Sequence, residues 1–152
     1  MMIDSFIFSK LPLICFGTGK IELLPQLIKQ YGEKILLVTG RSSFLNSTAG
    51  LRFCDIIKNE GLEMDTFLVA GEPSDIMIDD AVSVYRNDPP HVIVAIGGGS
   101  VMDAGKAISA MIPVNGVVKD YLEGVGHLDH PGLKIPLIAV PTTSGTGSEA
   151  TK

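Results

Sequence analysis

The chain has 152 residues, 45% hydrophobic and 19% charged, which suits one domain with a real core and not two. A formal net charge of −5 excludes a nucleic-acid binder that works through a basic face. No apolar run approaches the roughly 18 residues of a membrane span.

In chain order, Met1–Lys10 carries Asp4 early and lacks a basic start before a long apolar stretch, so it does not read as a signal peptide, and a cytoplasmic protein is expected. Leu13-Ile14-Cys15-Phe16 is a first strand-type run, closed by Gly17-Thr18-Gly19. Leu24, Leu27, Ile28 and Tyr31 then fall on one helical stripe, with Pro25 in the first turn and Gly32 at the end. Ile35 to Thr39 is an apolar run of strand length stopped by Gly40, and a helix is expected from about Ala49 to Glu60 with Gly61 as its terminator. Met64 to Val69 predicts a third strand. Ser74 can cap a helix whose buried face holds Ile78, Ala81, Val82 and Tyr85. His91 to Ile96 predicts a strand that runs into Gly97-Gly98-Gly99-Ser100, followed by a helix with Ala104, Ala107, Ile108 and Met111 on one side. A loop rich in Gly, Pro and charge leads to a last strand, Ile135 to Val140. Cys15 and Cys54 lack CxxC spacing and read as buried thiols of a reducing compartment.

Apolar runs without polar alternation belong to strands covered on both faces, as parallel strands joined by helices require. Five such strands predict an α/β, doubly wound, mostly parallel, Rossmann-like sheet over residues 1–152.

Two segments could carry chemistry. Gly97, Gly98 and Gly99 between a buried strand and a helix let backbone approach a ligand, and free N–H groups at the helix start suit the oxygens of a pyrophosphate. The plain alternative is a tight turn with Ser100 and Asp103 as a capping box, and Asp103 with Lys106 as a surface pair. One glycine would serve that turn; three leave two unexplained. The Walker pattern fails because Ser100 stands at its first glycine and Ala107 at its hydroxyl, and GxGxxG fails at Met102. The second segment runs Pro141-Thr142-Thr143-Ser144-Gly145-Thr146-Gly147-Ser148-Glu149 after the last strand. Its hydroxyls could line a cleft at the carboxyl ends of the strands. Gly145 to Ala150 matches GxGxxA without a following helix, and the chain's stop soon afterwards reads as a truncation. His127, Asp129 and His130 lie in a Gly/Pro loop without a further strong ligand and read as a solvated loop, not a metal site.

Gly97-Gly98-Gly99-Ser100 with Asp103 and Lys106, Asp120 to Gly126, and Pro141 to Glu149 together resemble the iron-containing alcohol dehydrogenase family. Ile14 to Gly19 and Gly71-Glu72-Pro73-Ser74 resemble it as well. Glycerol dehydrogenases and dehydroquinate synthases share the glycine turn, but the uninterrupted PTTSGTGSE stretch looks less like theirs. The resemblance implies an amino-terminal dinucleotide-binding domain and a carboxyl-terminal helical domain whose Asp and His residues hold Fe²⁺ or Zn²⁺. None of His91, His127 or His130 matches those ligands. It further implies hydride transfer between an alcohol or aldehyde and NAD or NADP, and homodimers. By that pattern Gly98, Gly99 and Ser100 meet the pyrophosphate, Gly97 and Asp103 count among the cofactor-binding residues, and Thr142, Thr143 and Thr146 line the adenine and pyrophosphate cleft. Gly40, Ser42 and Ser43 would face the adenosine ribose. With no carboxylate there, NADP(H) fits better than NAD(H). The 152 residues alone are expected to hold a nucleotide without running the reaction. The alternative in another class is a non-catalytic nucleotide-binding module.

Overall fold

The computed structural model describes residues 12–151; the reading of Met1–Lys10 lies outside them. Four strands form one parallel sheet: β1 (Lys34–Gly40), β2 (Glu63–Val69), β3 (Val92–Gly97) and β4 (Leu137–Pro141), in the order β2-β1-β3-β4. The helices are α1 (Leu24–Lys29), α2 (Thr48–Asn59), α3 (Asp75–Tyr85), α4 (Gly99–Met111) and the short α5 (Val118–Tyr121). A 3₁₀ turn, Lys20–Leu23, runs into α1, whose Pro25 sits in the first turn. Every strand points the same way, so all four carboxyl ends share one edge.

The continuous apolar runs are explained by cover on both faces. Alternate residues of the central strands separate into two cores. Leu36, Val38, Ile93 and Ala95 pack with Ile78 and Val82 of α3 and Met102, Ala104 and Ile108 of α4. Ile35, Leu37, Val92, Val94 and Ile96 pack on the other face with Leu24 and Ile28 of α1 and Phe53 and Ile57 of α2. The expected doubly wound layering is what the residues form. At Gly105 an added Cβ would stand 2.7 Å from the Ala95 Cβ, so a side chain there would hold α4 off β3. Ser109 secures the far end of the same helix: its hydroxyl donates to the Ile135 carbonyl at 2.5 Å, and its own carbonyl accepts the Ile135 N–H at 2.9 Å.

Four expectations need correction. Leu13-Ile14-Cys15-Phe16 is not a strand; Phe16 is 94% exposed, and among the described residues no neighbouring strand supplies it a ladder. Among the described residues the sheet therefore has four strands in place of five. Cys15 is exposed with that segment, and Cys54 is half-buried on α2, where burial first and Asp55 second push its thiol pKa up. Tyr31 lies beyond the end of α1 and is exposed, because the chain turns away at Gly32. The loop after α4 contains a helical turn, α5, which the Asp120 carboxylate closes by accepting the Val117 N–H at 3.0 Å. No helix among the described residues is long and apolar enough to cross a membrane.

Candidate functional site

Three helices begin after strands at the carboxyl edge, and they begin differently. Ser47 caps α2 by accepting the Gly50 N–H at 3.0 Å, and Ser74 caps α3 by accepting the Met77 N–H at 3.2 Å. Each thereby satisfies one of the amides that a helix start leaves open. The N-cap of α4 is Gly98, in extended conformation, and no side chain caps this helix. The capping box of the plain alternative is absent. Ser100 and Asp103 both lie inside the helix and are drawn elsewhere.

The Ser100 hydroxyl donates to Glu72 Oε1 at 3.1 Å, across from the loop that follows β2. Asp103 Oδ1 is 2.9 Å from Lys106 Nζ, and Asp103 Oδ2 accepts the Ser148 hydroxyl at 3.3 Å. The amides of Gly99 and Ser100 precede the first bonds of α4, made by Val101 and Met102 to the Gly98 carbonyl at 3.1 and 3.0 Å. They point their partial positive charge out of the helix start.

The three glycines serve different ends. An added Cβ at Gly97 would lie 2.6 Å from Val101 Cγ2, so Gly97 is required by packing. At Gly99 it would meet Thr146 Cγ2 at 3.1 Å and Ser148 Oγ at 3.3 Å, a tight fit. At Gly98 its nearest neighbour would be Thr143 Oγ1 at 3.4 Å, ordinary contact. Gly98 is thus the glycine that packing alone does not require.

The second expected segment is brought to the first. The Thr142 N–H donates to the Gly97 carbonyl at 2.8 Å, which extends the β3–β4 ladder and lays residues 142–148 across the start of α4. Thr142, Thr143 and Thr146 are exposed, whereas Ser148 is buried. On the other side stand Gly40, Ser42 and Ser43 at the end of β1, the strand adjacent to β3. Under the turn, the buried Thr39 hydroxyl donates to the Ile96 carbonyl at 2.9 Å and ties those two strand ends together. Sequence reasoning missed Thr39, Glu72 and Ser148. Glu72 lies in the Gly71-Glu72-Pro73-Ser74 likeness and Ser148 in the Pro141–Glu149 one, but neither was singled out.

His127 and His130 do not form a metal site. Gly132 donates its N–H to His130 Nδ1 at 3.0 Å, which leaves Nε2 to donate to the Ala110 carbonyl at 3.0 Å. His127 Nδ1 lies 3.9 Å from Asp120 Oδ1. His91 Nδ1 accepts the N–H groups of Glu33 and Lys34 at 3.0 and 3.1 Å, at the opposite edge of the sheet. Among the described residues no group of three or more His, Cys, Asp and Glu side chains is placed to hold a metal.

Comparison with known proteins bears on the family and the fold. Residues 12–152 match the family described as iron-containing alcohol dehydrogenase. The chain is 35% identical to the NAD-dependent methanol dehydrogenase of Bacillus methanolicus over 144 residues, covering 92% of this chain and 36% of that protein. It is 32% identical to the 1,3-propanediol dehydrogenase of Klebsiella pneumoniae, over 84% of this chain and 35% of the other. Among solved structures, the NADH-dependent butanol dehydrogenase A of Thermotoga maritima superposes with a TM-score of 0.82 at 27% identity, over 95% of this chain and 36% of that one. The sulfoacetaldehyde reductase of Bifidobacterium kashiwanohense, solved in complex with NAD⁺, gives a TM-score of 0.77 at 28% identity, over 89% of this chain and 35% of that one. The chain spans little more than a third of the length of each relative.

Proposed function

This chain belongs to the iron-containing alcohol dehydrogenase family, and from that premise we propose that it grips a nicotinamide dinucleotide at the carboxyl edge of its sheet. The observation that carries this reading is the start of α4, which lacks the side-chain cap of α2 and α3 and begins on a glycine that packing alone does not require. Amides at a helix start attract anionic oxygen, and the pyrophosphate of a dinucleotide supplies it. In this reading Gly97, Gly98, Gly99 and Ser100 form the phosphate turn, and Thr142, Thr143 and Thr146 line the cleft beside it. Asp103 stands one turn further along the helix. Gly40, Ser42 and Ser43 take the adenosine ribose. Ser100 is engaged by Glu72 in this structure, so a phosphate that takes the hydroxyl displaces that carboxylate.

The dinucleotide supplies hydride transfer, and the reaction of the whole protein is the interconversion of an alcohol and its aldehyde. Iron, implied by the family's name, is another matter. The described residues do not fit it, because His91 and His130 spend Nδ1 on amide N–H groups and no ligand cluster is present among those residues. No step of this reading passes through a metal. The 152 residues alone hold the nucleotide without oxidising alcohols; Fe²⁺, NAD(P)⁺ and simple alcohols added together yield no reduced cofactor above background. The resemblance implies that the chain pairs as a homodimer, a state that sedimentation reads directly.

Gly40 leaves no carboxylate to repel a 2′-phosphate, which favours NADP(H). The NAD-dependence in the name of the methanol dehydrogenase favours NAD(H) as the second reading. Titration of the intrinsic fluorescence of NADPH and NADH with the protein tests both. Saturable binding supports the proposal, a tenfold preference for NADH rejects the NADP(H) reading, and no binding of either at millimolar concentration overturns the whole.

A further inference from the structure

Three successive carbonyls frame the glycine turn, and each accepts a donor from within the protein. The Ile96 carbonyl accepts the Thr39 hydroxyl at 2.9 Å, and the Gly97 carbonyl accepts the Thr142 N–H at 2.8 Å. The Gly98 carbonyl accepts the N–H groups of Val101 and Met102 at 3.1 and 3.0 Å. A carbonyl dipole turned toward the ligand side would repel phosphate oxygens, so a turn that presents amides must keep its oxygens engaged elsewhere. Of these four donors three are backbone amides, which any residue but proline supplies. Thr39 donates from a side chain, so its bond alone depends on residue choice.

The strand itself does not ask for a hydroxyl there. Thr39 is fully buried, on the alternation that places Ile35 and Leu37 in an apolar core with Ile96. Valine would suit the strand and the space as well, and a buried hydroxyl is costly unless bonded. Thr39 and Ile96 are also the last register pair of β1 and β3. The next residues are Gly40, where the ribose loop opens, and Gly97, where the phosphate turn opens. One hydroxyl thus ties together the two strand ends that a single dinucleotide would span.

We propose that Thr39 is a positioning residue whose hydroxyl holds the Ile96 carbonyl beneath the turn and fixes the spacing between the ribose and phosphate parts of the site. It touches no cofactor. This rests on the function proposed above and deepens it: dinucleotide affinity depends on a buried group that lies under the site.

Amide hydrogen exchange and NADPH titration on the full 152-residue chain test this with two variants. Thr39→Val deletes the hydroxyl, and Thr39→Ser keeps it while deleting the methyl. Without nucleotide, Thr39→Val accelerates exchange of the Val101, Met102 and Thr142 amides about fivefold, as loss of one hydrogen bond allows. Exchange within α3 is unchanged. NADPH binding weakens by a similar factor. Thr39→Ser returns both readings close to those of the unaltered chain. Affinity thus follows the hydroxyl, whereas packing alone gives the reverse order, because Val fills the space and Ser leaves part of it empty. A Thr39→Ser chain that binds NADPH no better than Thr39→Val overturns the proposal in favour of packing. Weaker NADPH with unchanged exchange at the turn overturns it as well, and so does faster exchange with unchanged affinity. Faster exchange in a protein that binds neither NADPH nor NADH even when unaltered sinks the nucleotide reading and leaves the hold of Thr39 on the turn standing. Should Thr39→Val not fold, Thr39→Cys, whose thiol is a weak donor in the same place, takes its part in the comparison with Thr39→Ser.

Discussion

The two edges of the parallel sheet are built in opposite ways. At the amino edge lies a cavity of about 230 Å³ lined by Lys34, Glu63, Asp65, Tyr85, Asp88 and Pro90. Its polar groups answer one another: Tyr85 donates its hydroxyl to Asp65 Oδ2 at 2.9 Å, Lys34 pairs with Asp88, and His91 accepts two backbone amides nearby. At the carboxyl edge the amides of α4 have no side-chain cap. A hollow whose polar groups are satisfied has little left to offer a ligand. Uncapped amides beside a glycine that packing does not require do. The difference argues for reading a site from unmet hydrogen-bonding capacity before volume.

Substitutions at the two edges should separate folding from binding. The largest effect is expected from Gly32→Ala at the amino edge. A Cβ there would fall 2.3 Å from His91 Nδ1, at a φ of 145° that disfavours side chains. Chemical denaturation should show a loss of about 2–3 kcal/mol, with nucleotide affinity unchanged in the folded fraction. If affinity falls with stability, the edges are not independent. Next comes Gly98→Ala at the carboxyl edge. The protein has room for the methyl, so unfolding should shift by about 1 kcal/mol or less, while NADPH affinity falls about tenfold because the methyl stands where phosphate approaches. Undiminished affinity in this variant would return Gly98 to the packing explanation that accounts for Gly97.

The smallest effect is a pH dependence confined to the amino edge. Burial first, and then Asp65 through its hydrogen bond and its charge, push the Tyr85 phenol from 10.0 up to about 12. Between those values the folded chain keeps a proton that the unfolded chain has released. The contribution of Tyr85 is therefore complete below about pH 10 and is lost as pH rises through about 12. Tyr85→Phe should flatten that part of the stability–pH curve without moving NADPH affinity at neutral pH. An alkaline limb identical in both proteins would remove Tyr85 from the explanation.

Much of this was legible from residue order because it is written locally. Ile35 to Thr39 and His91 to Ile96 are apolar on both alternations, which only a sheet covered on both faces accommodates, and two such faces are what form. Ser74 capped the helix expected of it, and the glycine turn and the hydroxyl loop were both marked as sites of interest before their meeting was known. Leu13 to Phe16 was misread for an equally physical reason. A strand is completed by a neighbour, and an apolar run carries no information about whether one is within reach.

What residue order determined by itself was periodicity, caps and breaks, each set by interactions within a few residues of one another. Tertiary structure alone decided what each glycine is for, since the atoms that exclude a methyl at Gly105 and tolerate one at Gly98 belong to Ala95 and Thr143. It decided as well that Ser100 meets Glu72, 28 residues away, and that Asp103 meets Ser148, 45 residues away. Contacts at such separations depend on which strands lie side by side and how closely a helix settles on them. Packing of the whole chain fixes those distances, and no local pattern encodes them.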